Sequence, residues 1–107
     1  VIGMEQVGRL ASAREAYATA VQRWPDSSLA NSGLGNSSYA LGDYGTAESA
    51  YRAALAIDPE KAALWNNLAY ALARLGRREE SLDAIGHALE LDPDNAGLQD
   101  SRRELSN

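Results

Sequence analysis

The sequence predicts an all-α fold, an array of antiparallel helix pairs stacked side by side. Three observations predict it. All three prolines, Pro25, Pro59 and Pro93, fall 34 residues apart, as do Gly8, Gly42 and Gly76, and Ala20, Ala54 and Ala88. A period held at several places at once marks a stacked-repeat architecture. Between these markers, apolar and small residues recur at helical spacing. No stretch alternates in the manner of a strand.

The period divides the 107 residues into one domain of four segments: a partial repeat over 1–27, repeats over 28–61 and 62–95, and a tail over 96–107. In the partial repeat, Leu10, Ala13, Tyr17, Ala20 and Val21 form a stripe that is expected to lack a covering helix. Ser28 to Leu41 is read as a helix, with Leu34, Ser38 and Leu41 on one face. Gly42 stops it, because glycine takes the left-handed conformation at a helix end without steric cost. A second helix follows from about Gly45 to Ile57, burying Ala47, Ala50, Tyr51, Ala54 and Leu55. Pro59 closes the unit, since proline cannot continue the hydrogen-bond ladder. The next unit repeats the plan with Ala62 to Leu75, Gly76, Glu79 to Leu91 and Pro93. In the tail, Ala96 to Asn107, Leu98 and Leu105 form a narrow stripe on an otherwise polar surface. A lone helix pair cannot bury its apolar face, so each pair covers the next. Small residues (Gly35, Ala47, Ala54, Ala69, Ser81, Ala88) are placed where helices come close, and Leu34, Tyr51, Leu68 and Ile85 fill the gaps.

A 34-residue helix–turn–helix with this signature resembles the tetratricopeptide repeat (TPR) family. The unit 62–95 matches its pattern at Trp65, Leu68, Ala69, Leu72, Ser81, Ile85, Ala88 and Pro93. The unit 28–61 matches at Leu34, Gly35, Gly42, Asp43, Tyr44, Ala47, Tyr51, Ala54 and Pro59. It departs at Asn31, where the family often has Trp, and at Ser38, where it often has Tyr. The partial unit matches at Gly8, Ala13, Tyr17, Ala20 and Pro25. The resemblance implies a right-handed superhelical TPR solenoid, with the tail as its capping helix. The wording RWPDS, GLGN, YALGDY and WNNLAYALA is also similar to repeat segments at the C-terminal end of exported bacterial proteins with a C39-type peptidase-like first domain.

Composition bounds the function. The net charge is −5, which repels phosphate backbones and argues against nucleic acid. No apolar run approaches the roughly 20 residues of a membrane span. Cysteine is absent, which removes disulfides and thiolate chemistry. It leaves the compartment open, with bacterial cytoplasm and periplasm both compatible. The chain starts at Val1 and is read as a piece of something longer.

Catalytic, metal and cofactor sites are not expected. His87 is the only histidine, and Asp83, one helical turn earlier, makes it an exposed helix pair. The run DPDN, Asp92 to Asn95, lacks the later glycine and closing glutamate of a calcium loop and reads as a turn. GLGN, Gly33 to Asn36, lies inside a helix and follows no strand, so it is not a phosphate loop. The pairs Arg77–Arg78 and Arg102–Arg103 are too short for a nucleic-acid stripe.

Stacked helix pairs curve, and their concave side is the usual binding surface. The resemblance implies that the first helix of each pair lines it. By phase this points to Leu29, Ser32, Asn36, Tyr39 and Ala40, and to Ala63, Asn66, Tyr70, Ala73 and Arg74. Ser32, Asn36 and Tyr39 share one stripe, and Asn66, Tyr70 and Arg74 another. An Asn carboxamide can both donate to and accept from a peptide backbone. Tyr39 and Tyr70 offer flat area with a polar tip, and Arg74 can pair with a carboxylate. Co-chaperone relatives grip a C-terminal carboxylate with groove lysines and arginine. Ser32 and Asn66 stand at those places here and only Asn36 fits, so chaperone-tail binding is not expected. The expected function is a non-catalytic protein–protein interaction module that binds a peptide or partner domain in its groove. The alternative is a structural module that self-assembles through the incomplete N-terminal repeat.

Overall fold

The computed structural model describes residues 4–107. They form six helices and no strand: α1 (Met4–Arg23), α2 (Ser28–Ala40), α3 (Tyr44–Ile57), α4 (Ala62–Arg74), α5 (Arg78–Leu91) and α6 (Ala96–Ser106).

The helix ends follow from local chemistry. The Ser27 hydroxyl accepts from the Ala30 N–H at 3.1 Å, and the Asn95 carboxamide accepts from the Leu98 N–H at 3.1 Å. Both satisfy amide groups left over at a helix start. The Asp43 carboxylate does the same for Thr46 at 3.3 Å. Hydrogen bonds from Thr46 hold this carboxyl below the ordinary range, against the opposing effect of burial and with help from the Arg14 charge. Gly42 and Gly76 have φ of 84° and 76°. Each closes its helix with a paired cap: Asp43 N–H to Ser38 O and Gly42 N–H to Tyr39 O after α2, Arg77 N–H to Leu72 O and Gly76 N–H to Ala73 O after α4. Gly8 shares their period but not their role. It lies inside α1 without a positive φ, because the helix runs through it from Met4.

One hydrogen bond recurs with the period although its donor changes. Asn31 Nδ2 donates to Pro25 O at 3.1 Å, Trp65 Nε1 to Pro59 O at 2.9 Å, and Gln99 Nε2 to Pro93 O at 3.0 Å. Asn31 thus keeps the hydrogen bond that Trp65 makes at the matching place. An ion pair also recurs, with its charges exchanged. Arg14 meets Asp43 at 3.5 Å, and Glu48, one period after Arg14, meets Arg77, one period after Asp43, at 2.6 Å. Partial burial raises the Glu48 carboxyl, but hydrogen bonds from Arg52 and Arg77, and their charges, outweigh it and hold the group below its usual range.

The helices alternate between two layers. α3 packs between α2 and α4, and α5 between α4 and α6, while α2 touches α4 and α4 touches α6. The inner layer is therefore α2, α4 and α6, and the outer layer α1, α3 and α5. The core lies where α3, α4 and α5 meet. Ala47, Ala54, Ala69, Ile85 and Ala88 are fully buried there, with Leu68, Leu72 and Ser81 almost so. Leu34 is only half-buried. Ser38 is fully enclosed, and its hydroxyl has no hydrogen-bond partner.

The stripe on α1 is short of cover: Tyr17 is 37% exposed, whereas Tyr51, one period later, is 2% exposed. α1 packs against α2 alone and holds no buried residue. Leu10, Ala13, Ala20 and Val21 are half-buried, so α2 covers the stripe in part, with the Tyr17 ring lying against Gly33. The open side of α1 carries Arg9, Ser12, Glu15, Ala16 and Thr19, all exposed. Met4 and Val7 are exposed on the same helix, so the surface of α1 left open is of mixed character.

Candidate peptide-binding groove

Three consecutive inner helices present their stripes side by side, and hydrogen bonds link each to the next. Asn36 of α2 is exposed. Its Oδ1 accepts from the Tyr51 hydroxyl at 2.7 Å and from Asn67 Nδ2 of α4 at 3.3 Å. Burial pushes the Tyr51 phenol up to about 12, with nearby Tyr39 adding to it, so this hydroxyl is a permanent donor. Arg74 of α4 donates from Nε to the Tyr39 hydroxyl of α2 at 3.3 Å. Its guanidinium lies 5.6 Å from the centre of the Tyr44 ring, which meets the Tyr39 ring edge-on at 5.1 Å. Tyr70 of α4 donates to Glu104 Oε2 of α6 at 2.8 Å. Partial burial raises the Tyr70 phenol. The Ser101 hydroxyl opposes that shift, and Glu104 adds to it.

Three separate ties therefore cross between the inner helices: Asn36 to Asn67, Tyr39 to Arg74 and Tyr70 to Glu104. The other two sequence-derived positions differ. Ser32 turns its hydroxyl back to Leu29 O of its own helix at 3.1 Å. Asn66 is half-buried beside Ala63, Asn95 and Leu98, and its Oδ1 has no hydrogen-bond partner. Sequence reasoning missed Tyr44, Asn67 and Glu104. Glu104 had a signal, since it stands one period after Tyr70 and two after Asn36.

The residues set aside on sequence also find places. His87 pairs with Glu90 (Nδ1 to Oε2, 3.8 Å) rather than with Asp83, and its ring stacks on Trp65 at 4.6 Å. Asn95 donates to Asp92 at 2.9 Å, as a turn requires. Gly33 and Gly35 lie under the rings of Tyr17 and Tyr51, inside α2. Among the described residues no cluster of three metal-ligating side chains occurs.

The two-layered helical fold with its periodic ties defines a class, the helical-repeat solenoids. Within that class the chain belongs to the tetratricopeptide repeat family, whose profile matches residues 5–62 and 33–96. The structure is similar to the first TPR of Spaghetti (RPAP3) bound to the HSP90 peptide SRMEEVD. That match has a TM-score of 0.86 and 21% identity and covers 92% of this chain and 79% of that one. It is similar to part of the Thermobaculum terrenum O-GlcNAc transferase, with TM-score 0.83 and 31% identity, over 94% of this chain but 19% of that one. It also resembles the Yersinia enterocolitica type III secretion chaperone SycD in complex with a peptide of the translocator YopD, with TM-score 0.80 and 20% identity, over 95% and 78%. No match was found among the curated proteins. Neither the family match nor these structures supports the resemblance to exported peptidase-like proteins. No helix among the described residues is long and apolar enough to cross a membrane.

Proposed function

We propose that this chain is a non-catalytic protein–protein interaction module that takes a peptide or a partner domain in the groove of α2, α4 and α6. One observation carries the reading: Asn36 ties to Asn67, Tyr39 to Arg74 and Tyr70 to Glu104, which sets polar tips and aromatic area side by side across three successive helices. Such a row suits an extended backbone, which offers donors and acceptors to carboxamides and rests its side chains on rings. Ser32 and Asn66 flank the row as further contacts. Two similar structures hold peptides, the HSP90 peptide in one and the YopD peptide in the other. The module acts by binding. Its partners are peptides or proteins rather than nucleic acid, in keeping with the net charge of −5.

Selection of a phage-displayed random peptide library on the whole protein tests this. Recovered peptides should lose at least tenfold in affinity, about 1.4 kcal/mol, with Tyr70→Ala, and should be unaffected by Asp83→Asn on α5. Peptides insensitive to Tyr70→Ala would place binding outside the groove.

A second reading, self-association through α1, has its own observation. Ala16 is exposed, whereas Ala50 and Ala84, one and two periods later, are 5% and 3% exposed. Sedimentation across a concentration range should then show an oligomer that Ala16→Glu dissociates, because a charge would need burying. A strict monomer at high micromolar concentration would discard this reading.

A further inference from the structure

We infer that the edge of the array where the outer helices end is a second docking surface beside the groove, and that its partner is a basic amphipathic segment of another protein. That segment covers Trp24, Ile57 and Leu91 with its apolar side and sets Lys or Arg among the carboxylates around them.

The fold builds this edge from one turn per repeat. α1, α3 and α5 run parallel in the outer layer, so their C-terminal ends and the proline turns that follow lie along one side of the molecule. Ile57 and Leu91 are the last residues of α3 and α5 and stand one period apart, and Trp24 follows the last residue of α1. All three are exposed. The Arg23 guanidinium lies 5.0 Å from the centre of the Trp24 ring, yet Trp24 stays 58% exposed, which leaves area for a partner. α1, α3 and α5 do not touch one another, so their ends stand farther apart than the roughly 8–10 Å of packed helices. A segment reaching from Trp24 to Leu91 therefore spans about 20 Å, roughly fourteen residues of helix.

The charge on this edge selects the partner. Residues 23–27, 58–61 and 92–95 hold five carboxylates, Asp26, Asp58, Glu60, Asp92 and Asp94, against two cations, Arg23 and Lys61. An excess of three negative charges, out of a net charge of −5 for the whole chain, therefore collects here. The turns at the other edge, 41–43 and 75–77, hold one charge of each sign, Asp43 and Arg77, and both are in ion pairs. Among the described residues, none of the five carboxylates is in an ion pair. Asp58 and Asp92 are the C-caps of α3 and α5. A helix C-terminus is already the negative end of its dipole, so a carboxylate there is unfavourable until a cation meets it. The apolar row and the excess of negative charge coincide, and a segment both apolar and basic complements them.

The probe is a labelled sixteen-residue peptide of leucine and lysine with the leucines on one helical face, followed by fluorescence anisotropy on the whole protein. It should bind about tenfold more tightly than the same residues shuffled to scatter the leucines, and Tyr70→Ala should leave its affinity unchanged. Asp58→Asn with Asp92→Asn should weaken it about tenfold, and Ile57→Ser with Leu91→Ser by a similar factor. The carboxamide of Asp92→Asn still accepts from Asn95, so the turn is kept. Glu5→Gln with Glu79→Gln removes the same charge from the first turns of α1 and α5, at the opposite edge, and should leave binding as it was. Equal losses from the two charge pairs, or equal binding of the shuffled peptide, would mean long-range attraction alone and overturn the docking surface. Loss with Tyr70→Ala would move the probe into the groove and overturn it as well. Absence of binding overturns this surface and leaves the groove reading standing.

Discussion

Gly35→Leu should destabilise the protein by about 3 kcal/mol, and Gly33→Leu by less than half as much. The two glycines are two residues apart in α2, and each lies under a tyrosine ring. A Cβ at Gly35 would stand 2.6 Å from Tyr51 Cε1, and one at Gly33 would stand 2.3 Å from Tyr17 Cε1. Distance alone therefore ranks them the wrong way round. The rings decide. Tyr51 is 2% exposed and its hydroxyl is tied to Asn36 at 2.7 Å, so it can move only by breaking that bond and the packing around it. Tyr17 is 37% exposed, sits on the thinly packed α1 and can swing toward solvent. The gain in helix propensity on replacing glycine, up to about 1 kcal/mol, is the same at both sites and cancels in the comparison. Urea midpoints at unchanged slope would measure the difference. Equal losses would show that the Tyr51 ring is no more constrained than that of Tyr17. The next unit supports the argument. The places of Gly35 and Tyr51 are taken there by Ala69 and Ile85, a larger small residue with a smaller large one, and both are fully buried.

The helices were legible because the signals that end them are local. Gly42, Gly76 and Pro59 act through their own backbone geometry, and the structure starts and stops α2 to α5 within a residue or so of the sequence reading. Gly8 shows the limit. A glycine ends a helix only where the chain must turn, and at Gly8 it does not. The departure at Asn31 proved to be no departure in function, because a carboxamide reaches the Pro25 carbonyl as an indole reaches that of Pro59. Matching residue types cannot reveal that, whereas asking where each carbonyl finds a donor can. The proposed groove positions came from the family resemblance by phase, and helical spacing groups them within α2 and α4. What joins one helix to the next could not be read, since Asn67, Tyr44 and Glu104 are brought in by packing. The short cover on α1 was legible for the same reason as the helices: with no preceding helix pair in the sequence, its stripe has α2 alone as a neighbour and stays unburied.

Stability should be uneven along the array, and Leu72→Ala should cost about 2–5 kcal/mol where Leu10→Ala costs under about 1 kcal/mol. Both remove the same three carbons from an inward-facing leucine. Leu72 is 1% exposed in α4, the helix that touches α2, α3, α5 and α6, and the cavity left behind has packed walls that relax little. Leu10 is half-buried in α1, which touches α2 alone and contains no buried residue, so water fills what the substitution removes. In a stacked array each unit is stabilised chiefly by its neighbours, and a fault at the centre weakens the interfaces on both sides. Domains of this kind are stable by only about 5–15 kcal/mol, so the Leu72 variant loses a large share of what holds it folded. Amide hydrogen exchange separates the two effects. Protection in α4 should report global unfolding and fall by the full cost of Leu72→Ala. Amides of α1 should already exchange through local opening in the unmodified protein. Equal protection in α1 and α4 would mean that α1 is covered in solution, and would turn attention back to self-association through the face that carries Ala16.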